Sequence, residues 1–120
     1  MSRDRRGAER AGRLAELAAA MFLTLKGYRI LTTRFRARGG EIDLVARRGD
    51  ALIFVEVKRR IRLDDALSAV DYRSRRRIET AADAFRAARP DLAHLGGRYD
   101  VIASAGLKIA HVRGAWIAGD

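Results

Sequence analysis

Apolar and polar residues alternate along two neighbouring segments of the chain, residues 41–46 and 52–58, and both segments contain β-branched side chains. Alternation with a period of two residues predicts β-strands. Gly49 and Asp50 lie between the two segments, and a Gly-Asp pair is a permitted two-residue hairpin loop. The sequence therefore predicts an antiparallel hairpin centred on this pair.

The predicted hairpin determines which polar side chains meet. With a two-residue loop, Asp43 lies directly opposite Glu56, and Glu41 lies opposite Lys58. Directly opposed residues share a face of the sheet, with Cβ atoms about 4.5–5.5 Å apart. A shift of the register by one residue would place the members of each pair on opposite faces. Any site formed by these side chains therefore depends on the register.

The remaining chain predicts two helices and three further strands. A first helix is predicted from about Ala8 to Lys26 by apolar residues at three- and four-residue steps. Its main apolar stripe consists of Leu14, Leu17, Ala18, Met21, Phe22 and Leu25. A second helix is predicted over residues 72–88, before Pro90. Further strands are predicted over residues 28–36, 98–104 and 107–112.

These elements follow the order α-β-β-β-α-β-β, which predicts an α/β fold with about five strands. The length of 120 residues predicts a single domain spanning residues 1–120. Residues 1–7 are strongly charged, and we expect them to be a frayed basic N-terminus.

Glu16 on the first helix falls away from the main apolar stripe. Its neighbours on the helical wheel are apolar, namely Ala19, Ala20 and Leu23. The second half of this helix is thus apolar almost all round, which suggests burial on more than one side. A helical glutamate is ordinarily a solvated surface residue, but these neighbours also allow Glu16 to reach the sheet as a third carboxylate. Spacing alone does not decide between the two.

The charge balance favours a polyanionic partner. The chain has 25 Lys+Arg against 15 Asp+Glu, giving a formal charge of +10. All the basic residues except Lys26, Lys58 and Lys108 are arginines, whose planar fork suits phosphate groups. Such a charge indicates nucleic-acid binding. The alternatives are an arginine-rich genome and a basic surface that aids solubility.

Several classes of protein are disfavoured by composition. There is no cysteine, which excludes a disulfide framework, a thiolate zinc site and a cysteine nucleophile. His94 and His111 are isolated, so a histidine-rich metal site is not expected. No secretory apolar core and no long apolar span are present, and the prediction is a cytoplasmic protein that does not act at a membrane.

The opposed carboxylates of Asp43 and Glu56 suggest a metal site. Two carboxylates at this spacing repel unless something neutralises them. Mg²⁺ takes oxygen ligands and is typically held by one or two carboxylates with waters and phosphate oxygens. Lys58, on the same face, is suited to orient water or to meet growing negative charge. The alternative is a solvated Glu-x-Lys ion pair, worth at most about 1 kcal/mol.

The chain resembles the YraN (UPF0102) family over nearly its whole length. The resemblance is carried by segments 12–16, 40–46 (Gly-Glu-Ile-Asp-Leu-Val-Ala), 54–59 (Phe-Val-Glu-Val-Lys-Arg), 98–102 and 110–118. The family is placed by similarity in the PD-(D/E)xK nuclease superfamily, close to archaeal Holliday junction resolvases. The resemblance implies a mixed central β-sheet flanked by helices, of the restriction-endonuclease-like kind.

The resemblance also implies roles for matched residues. Asp43 is similar to the metal-binding aspartate of the superfamily, and Glu56 and Lys58 are similar to its (D/E)xK pair. Glu16 is similar to the first-helix glutamate that completes many such sites, and Glu41 is expected to be a supporting residue. The implied metal ligands are Asp43 and Glu56, assisted by Glu16, and the implied ion is Mg²⁺ or Mn²⁺.

Three positions depart from the family pattern. Ile42 occupies the position of the proline in the superfamily name, and Ser74 and Arg75 stand where members often carry lysine and glutamine. The changes at Ser74 and Arg75 put a catalytic or substrate-contacting role for the second helix in doubt, although its arginines are able to bind phosphate. The arginines expected to contact nucleic acid are Arg59, Arg60, Arg73, Arg75, Arg76 and Arg77. The alternative for the helical cluster is a solvated basic face.

Together these features predict a small metal-dependent endonuclease that acts on DNA, with branched or junction DNA suggested by the resolvase analogy. Two alternatives stay open: a nucleic-acid-binding module of the same fold that does not cut, and an interaction protein in which the acidic hairpin is structural. A homodimer is left open because a junction presents two symmetric scissile sites.

Overall fold

A mixed five-stranded sheet, in the order β1-β2-β3-β4-β5, forms the centre of the fold. A computed structural model describes the backbone of residues 2–120 and the side chains of residues 5–120. The elements are α1 (Ser2–Leu25), β1 (Arg29–Ala37), β2 (Gly40–Arg48), β3 (Ala51–Arg59), α2 (Leu63–Ser68), α3 (Tyr72–Ala88), a 3₁₀ turn (Pro90–Leu92), β4 (Gly96–Ala105) and β5 (Lys108–Trp116). The predicted α/β class and element order are confirmed, and α2 adds one short helix.

Strands β3 and β4 pair in parallel, whereas the other neighbours pair antiparallel. A parallel pair needs a long crossover connection, and α2 with α3 supplies it. None of the helices formed by residues 2–120 has the length and apolar composition needed to cross a membrane.

The hairpin of β2 and β3 has the predicted register. Its paired residues run from Arg48 and Ala51, beside the loop, to Leu44 and Val55. Gly49, the first loop residue, has a φ of 58°, a left-handed conformation that glycine adopts without steric cost. The local signal of alternation plus a Gly-Asp loop was therefore enough to predict the pairing.

Helix α3 begins at a capped end and lies directly on the start of β2. The Asp71 side chain accepts a hydrogen bond from the Ser74 backbone N–H at 2.9 Å, which caps the first turn. A Cβ atom added to Gly40 would lie 1.9 Å from the Arg77 carbonyl oxygen. Only glycine at position 40 therefore allows α3 this close to the strand that carries Glu41 and Asp43.

Helices α3 and α1 cover opposite faces of the sheet. Under α3, Ile78 and Phe85 pack with Phe54 of β3. Under α1, Leu23 packs with Val55 and other residues of the second core cluster. The sheet is therefore the middle of three layers, and each face contributes its own buried apolar cluster.

The face of α1 that contacts the sheet is not its main apolar stripe. The buried residues are Ala15, Ala19 and Leu23, two of them small enough to allow close approach. The stripe residues Leu14, Leu17, Met21 and Leu25 are 60%, 62%, 68% and 86% exposed. The expectation of burial on more than one side is therefore wrong within a single chain. Helix α1 also begins at Ser2, earlier than predicted, so residues 2–7 have helical backbone.

A buried carboxylate joins β4, β5 and the end of α1. Asp100 accepts hydrogen bonds from Arg98 Nε and Nη2, each at 2.8 Å, and from the Gly114 N–H at 2.9 Å. His111 Nε2 lies 2.7 Å from Asp100 Oδ2, and the Lys26 ammonium lies 2.8 Å from His111 Nδ1. Because a lysine ammonium only donates, the His111 proton is assigned to Nε2.

Candidate active site

The alternation of β2 breaks at Asp43. Ile42 packs in the cluster under α3, but Leu44 packs in the cluster under α1. The strict alternation predicted for residues 41–46, which would place both on one face, is therefore wrong at this point. The β1–β2 ladder pairs Leu44 with Thr33 and Ile42 with Phe35. Between these pairs lies Arg34, which has a φ of 52°. A non-glycine residue in this conformation is uncommon and marks a local irregularity, which here lies beside the carboxylate.

The Asp43 carboxylate is fixed to the Glu-Val-Lys triplet of β3. Its Oδ2 accepts a hydrogen bond from the Val57 backbone N–H at 2.8 Å. The Glu56 side chain lies within hydrogen-bonding reach of the Asp43 carboxyl group, and this contact is one of the causes that raise the pKa of Glu56. The structure thus brings together the two acidic residues that the hairpin register predicted to be opposite.

Glu56 is largely protonated at neutral pH. Burial is the first cause and the contact with Asp43 the next, and together they raise the pKa of Glu56 to about 9. The Lys58 charge acts in the other direction, and Glu41 adds to the increase. Glu56 therefore keeps its proton beside Asp43, and a cation of higher charge is suited to replace that proton.

The charge of Lys58 acts both on the carboxyl pair and on Asp71 at the start of α3. It lowers the pKa of Glu56, against the larger effects of burial and Asp43. The pKa of Asp71 is lowered mainly by the hydrogen bond from Ser74 and to a smaller extent by Lys58. The ammonium is therefore close enough to act on charge that develops beside Glu56.

Glu16 faces the same cavity as Asp43 but is bound to an arginine. A cavity of about 340 Å³ is lined by residues of α1, β1 and β2, including Glu16, Arg34, Glu41 and Asp43. Arg34 Nε donates to Glu16 Oε2 at 3.0 Å. The hydrogen bond from Arg34 to Glu16, and then their charge interaction, raise the pKa of Arg34 above its usual value. Sequence patterns gave no signal for Arg34, because its role depends on an irregular strand.

The described side chains contain no group of three or more His, Cys, Asp or Glu residues arranged to hold a metal ion. Glu16, Asp43 and Glu56 therefore do not form one compact set in this structure. Asp43 and Glu56 do form a pair of hard oxygen donors. Two carboxylates fit Mg²⁺ or Mn²⁺, because such ions complete their coordination with water and substrate phosphate oxygens.

Two of the predicted arginines of α3 line a second, basic cavity beside the site. Arg73 and Arg77 line a space of about 470 Å³ together with Arg36 of β1, the β1–β2 turn and Glu41. Arg36 also lies 3.4 Å from Glu41 in an exposed ion pair. Three guanidinium groups thus converge next to the strand that carries Asp43.

The other two arginines of the helical cluster have internal partners. Arg76 Nη1 donates to the buried Glu79 at 3.2 Å, and the Arg75 guanidinium lies 5.6 Å from the centre of the Trp116 ring. Glu79 also accepts hydrogen bonds from Trp116 Nε1 at 3.0 Å and from the Gly119 N–H at 3.1 Å. These contacts fasten the last residues of the chain onto α3.

Arg59 is the last residue of β3 and Arg60 follows it, so both lie at the same end of the sheet as Lys58. Both are exposed, and Arg60 Nη1 donates to the Arg59 carbonyl oxygen at 2.7 Å. They line a separate open cavity with Ile61 and Gly106. Positive charge therefore flanks the carboxyl pair from α3 and from the end of β3.

The sequence is similar to one protein family over most of its length. The model described as "Uncharacterised protein family UPF0102" matches residues 15–103, a range that contains Glu16, Asp43, Glu56 and Lys58. The chain is 50% identical over 121 residues to a UPF0102 protein of Maricaulis maris, covering 100% of this chain and 95% of that protein.

Two further UPF0102 proteins are also similar to most of this chain. A UPF0102 protein of Paramagnetospirillum magneticum is 48% identical over 120 residues, covering 96% of this chain and 93% of that protein. A UPF0102 protein of Rhizobium johnstonii is 50% identical over 99 residues, covering 82% of this chain and 81% of that protein.

Proposed function

The chain belongs to the UPF0102 family, and from that premise we propose that it is a metal-dependent nuclease of the PD-(D/E)xK kind that hydrolyses phosphodiester bonds in DNA in the cytoplasm. The observation that carries the proposal is the contact between Asp43 and Glu56, with Asp43 held by the Val57 N–H at 2.8 Å. A protein rarely keeps two carboxyl groups together in a partly buried place unless a proton or a cation binds between them.

Asp43 and Glu56 would hold Mg²⁺ or Mn²⁺. When bound, such an ion supplies Lewis-acid stabilisation of charge on the phosphate and lowers the pKa of water. Glu56 has to release its proton for this to happen, and the charge of Lys58 favours that release. Glu16, held by Arg34 in the same cavity, assists by orienting water or by retaining Arg34 near the phosphate.

Lys58 is the proposed positioning group for the attacking water. Its ammonium donates only, so it orients the water oxygen and opposes the growing negative charge rather than removing a proton. Arg34 lies close enough to Asp43 and Glu41 to interact with their charges. A guanidinium in this place is suited to bind a nonbridging phosphate oxygen.

The decisive experiment is a cleavage assay with labelled single-stranded, duplex, flapped and four-way-junction DNA. Each substrate is incubated with Mg²⁺, Mn²⁺ or EDTA, in parallel with Asp43→Asn. We expect metal-dependent cutting by the wild type and a loss on the order of 1000-fold in the variant. Cutting that persists in Asp43→Asn, or in EDTA, would refute the proposed site. The ranking of the four substrates would show whether branched DNA is preferred.

The basic cavity beside α3 should bind the DNA backbone. We expect Arg73→Ala with Arg77→Ala to reduce the slope of log affinity against log salt concentration by about 1.8, since each phosphate contact contributes about 0.9. Arg76→Ala is the matched control on the same helix, because Arg76 is paired with Glu79. It should lower the thermal midpoint and leave the salt slope unchanged. Affinities are measured by fluorescence anisotropy. Equal salt slopes for the wild type and both variants would show that the basic cavity does not bind the DNA backbone.

A non-catalytic DNA-binding module of the same fold is the second candidate. It is favoured by the ion pair that occupies Glu16 and by the lack of a three-carboxylate set among the described side chains. Such a module should bind DNA with the same affinity in Mg²⁺ and in EDTA, and Asp43→Asn should not change that affinity. The cleavage assay and a parallel binding titration separate the two functions.

A further inference from the structure

Four large apolar side chains of the α1 stripe stay exposed in the single chain. Leu14, Leu17, Met21 and Leu25 recur at steps of three and four residues, and each is at least 60% exposed. Twelve helical residues span about 18 Å, so these side chains form one continuous apolar ridge. Single exposed leucines are ordinary, but a contiguous apolar patch marks an interaction surface.

The ridge is also free of charge on a strongly charged protein. Between Leu14 and Leu25 the single ionisable residue is Glu16, which points to the site cavity and binds Arg34. The chain as a whole carries a formal charge of +10. Two copies would therefore repel through most of their surfaces, and the ridge is a place where they are able to meet without opposing like charges.

We propose that the ridge pairs with the ridge of a second copy of this chain in an antiparallel, two-fold symmetric helix pair. In that arrangement Leu17 packs against Met21 of the second copy, and Leu14 packs against Leu25 of the second copy. A symmetric dimer uses the same patch on both subunits. Ridges of apolar residues at three- and four-residue spacing interdigitate well along paired helices.

Charge selects the antiparallel orientation. The exposed Arg10 and Arg13 precede the ridge, whereas the last turn of α1 contains no basic residue. A helix carries partial negative charge at its C-terminal end, so antiparallel pairing places the arginines of each copy beside the C-terminal carbonyl groups of the other. A parallel pair would instead oppose the arginines of the two copies. Lys26 does not interfere, because its ammonium is bound to His111.

The proposed dimer leaves the candidate active site open. Gly12, Arg13 and Glu16 line the site cavity from α1, and Glu16 lies off the ridge. The ridge and the cavity therefore lie on different sides of α1, and Arg13 lies at the border between them. The dimer does not depend on whether the protein cuts DNA, so the cleavage assay and the experiments below fail or succeed independently.

The first test is the oligomeric state in solution. A single helix pair is small beside the roughly 800 Å² per partner of a standard interface, so we expect a dimer that dissociates on dilution. Sedimentation velocity from about 1 μM to about 1 mM protein should show this equilibrium. Leu17→Arg with Met21→Arg should raise the dissociation constant about 30-fold or more. Both side chains are exposed in the single chain, so circular dichroism should show retained helix.

The matched control replaces two apolar residues elsewhere that are even more exposed than Leu17 and Met21. Ile61 and Leu107 are 96% and 104% exposed, and Ile61→Arg with Leu107→Arg should leave the dimer intact. A wild type that is monomeric at every concentration, or a control that dissociates as readily as the ridge variant, would overturn the proposal. A monomer would instead assign the ridge to a different protein or to a lipid surface.

Disulfide cross-linking tests the orientation. The chain has no cysteine, so introduced cysteines are unique. Leu14→Cys and Leu25→Cys proteins, one carrying a mass tag, should form a mixed disulfide when they are combined, because antiparallel pairing brings these positions together. Leu14→Cys alone should not cross-link faster than a Leu107→Cys control. Rapid linkage of Leu14→Cys to itself without the mixed product would refute the antiparallel arrangement.

Discussion

Replacing Glu56 by glutamine should abolish metal-dependent cleavage and at the same time make the metal-free protein more stable at pH 8. Glutamine has the shape of the protonated side chain and is able to donate a hydrogen bond to Asp43. It therefore preserves the contact seen in the structure while removing a carboxylate that a cation needs. Loss of activity together with gained stability is the pattern expected of a residue retained for function.

The gain in stability follows from the raised pKa of Glu56, about 9 in the folded protein against an ordinary value of 4.5. Below pH 4.5 the group is protonated in both the folded and the unfolded state. Between pH 4.5 and 9 the unfolded chain releases the proton and the folded protein keeps it, so the free energy of unfolding falls as pH rises. Because pH 8 lies about 3.5 units above 4.5 and each unit corresponds to about 1.4 kcal/mol, the variant should gain up to about 5 kcal/mol at pH 8.

Chemical denaturation from pH 5 to pH 9 measures this difference, with EDTA present throughout. Glu41→Gln is the control, because Glu41 lines the cavity beside Asp43 but is exposed and paired with Arg36 at 3.4 Å. It should leave the slope of stability against pH close to that of the wild type. Equal slopes of stability against pH for the wild type and Glu56→Gln would mean that Glu56 is not held protonated. Cleavage by Glu56→Gln at the wild-type rate would show that Glu56 is not part of the active site.

The hairpin and its carboxyl pair were predictable because they depend on local signals. Alternation over residues 41–46 and 52–58, with Gly49 and Asp50 between them, leaves few registers that bury the apolar side chains. Once the register is fixed, Asp43 and Glu56 must be neighbours. The bounds of α3 were predicted for a similar reason, since an apolar helical pattern ends before Pro90.

The face of α1 was not predictable from its pattern. Helical periodicity shows which residues line up but does not show which of two apolar faces meets the sheet. The sheet contacts the side with Ala15 and Ala19, where the backbones approach closely, and leaves Leu17 and Met21 outside. Which apolar face of such a helix is buried depends on contacts in the whole assembly, and the pattern of one helix does not show those contacts.

Contacts between distant parts of the chain were also missed. Arg34 reaches Glu16 across 18 positions, and Trp116 reaches Glu79 across 37. Arginines at successive positions of α3 looked equivalent in sequence, but the structure gives Arg76 a buried carboxylate and leaves Arg77 at the basic cavity. Only the tertiary fold separates a structural arginine from one that is available to a ligand.

Replacing Asp100 by asparagine should cost about 3 kcal/mol of stability, since removal of one member of a buried ion pair leaves the other uncompensated. Asp100 is fully buried, and it accepts hydrogen bonds from Arg98, His111 and the Gly114 N–H. An asparagine amide would place an N–H group against one of these donors. Thermal and chemical denaturation of the two proteins at pH 7 would measure the loss.

The stability contributed by Asp100 and His111 should also depend on pH. Burial alone would raise the pKa of Asp100, but the hydrogen bonds from Arg98, Gly114 and His111 outweigh it and hold the pKa below the ordinary value of 3.8. Stability from this group is therefore present above pH 3.8 and is lost as pH falls through the folded-state pKa. Burial likewise lowers the pKa of His111 below 6.5, so protonation of the unfolded chain reduces stability as pH falls below 6.5.

Asp100→Asn should therefore lower stability at pH 7 and remove the part of the acid loss that begins near pH 3.8. Asp91→Asn is the matched control, because Asp91 forms an exposed pair with Arg89 at 2.9 Å; its thermal midpoint should stay near that of the wild type. If Asp100→Asn were as stable as the wild type, the network would contribute no net stability, and the charge buried there would then require a role outside folding.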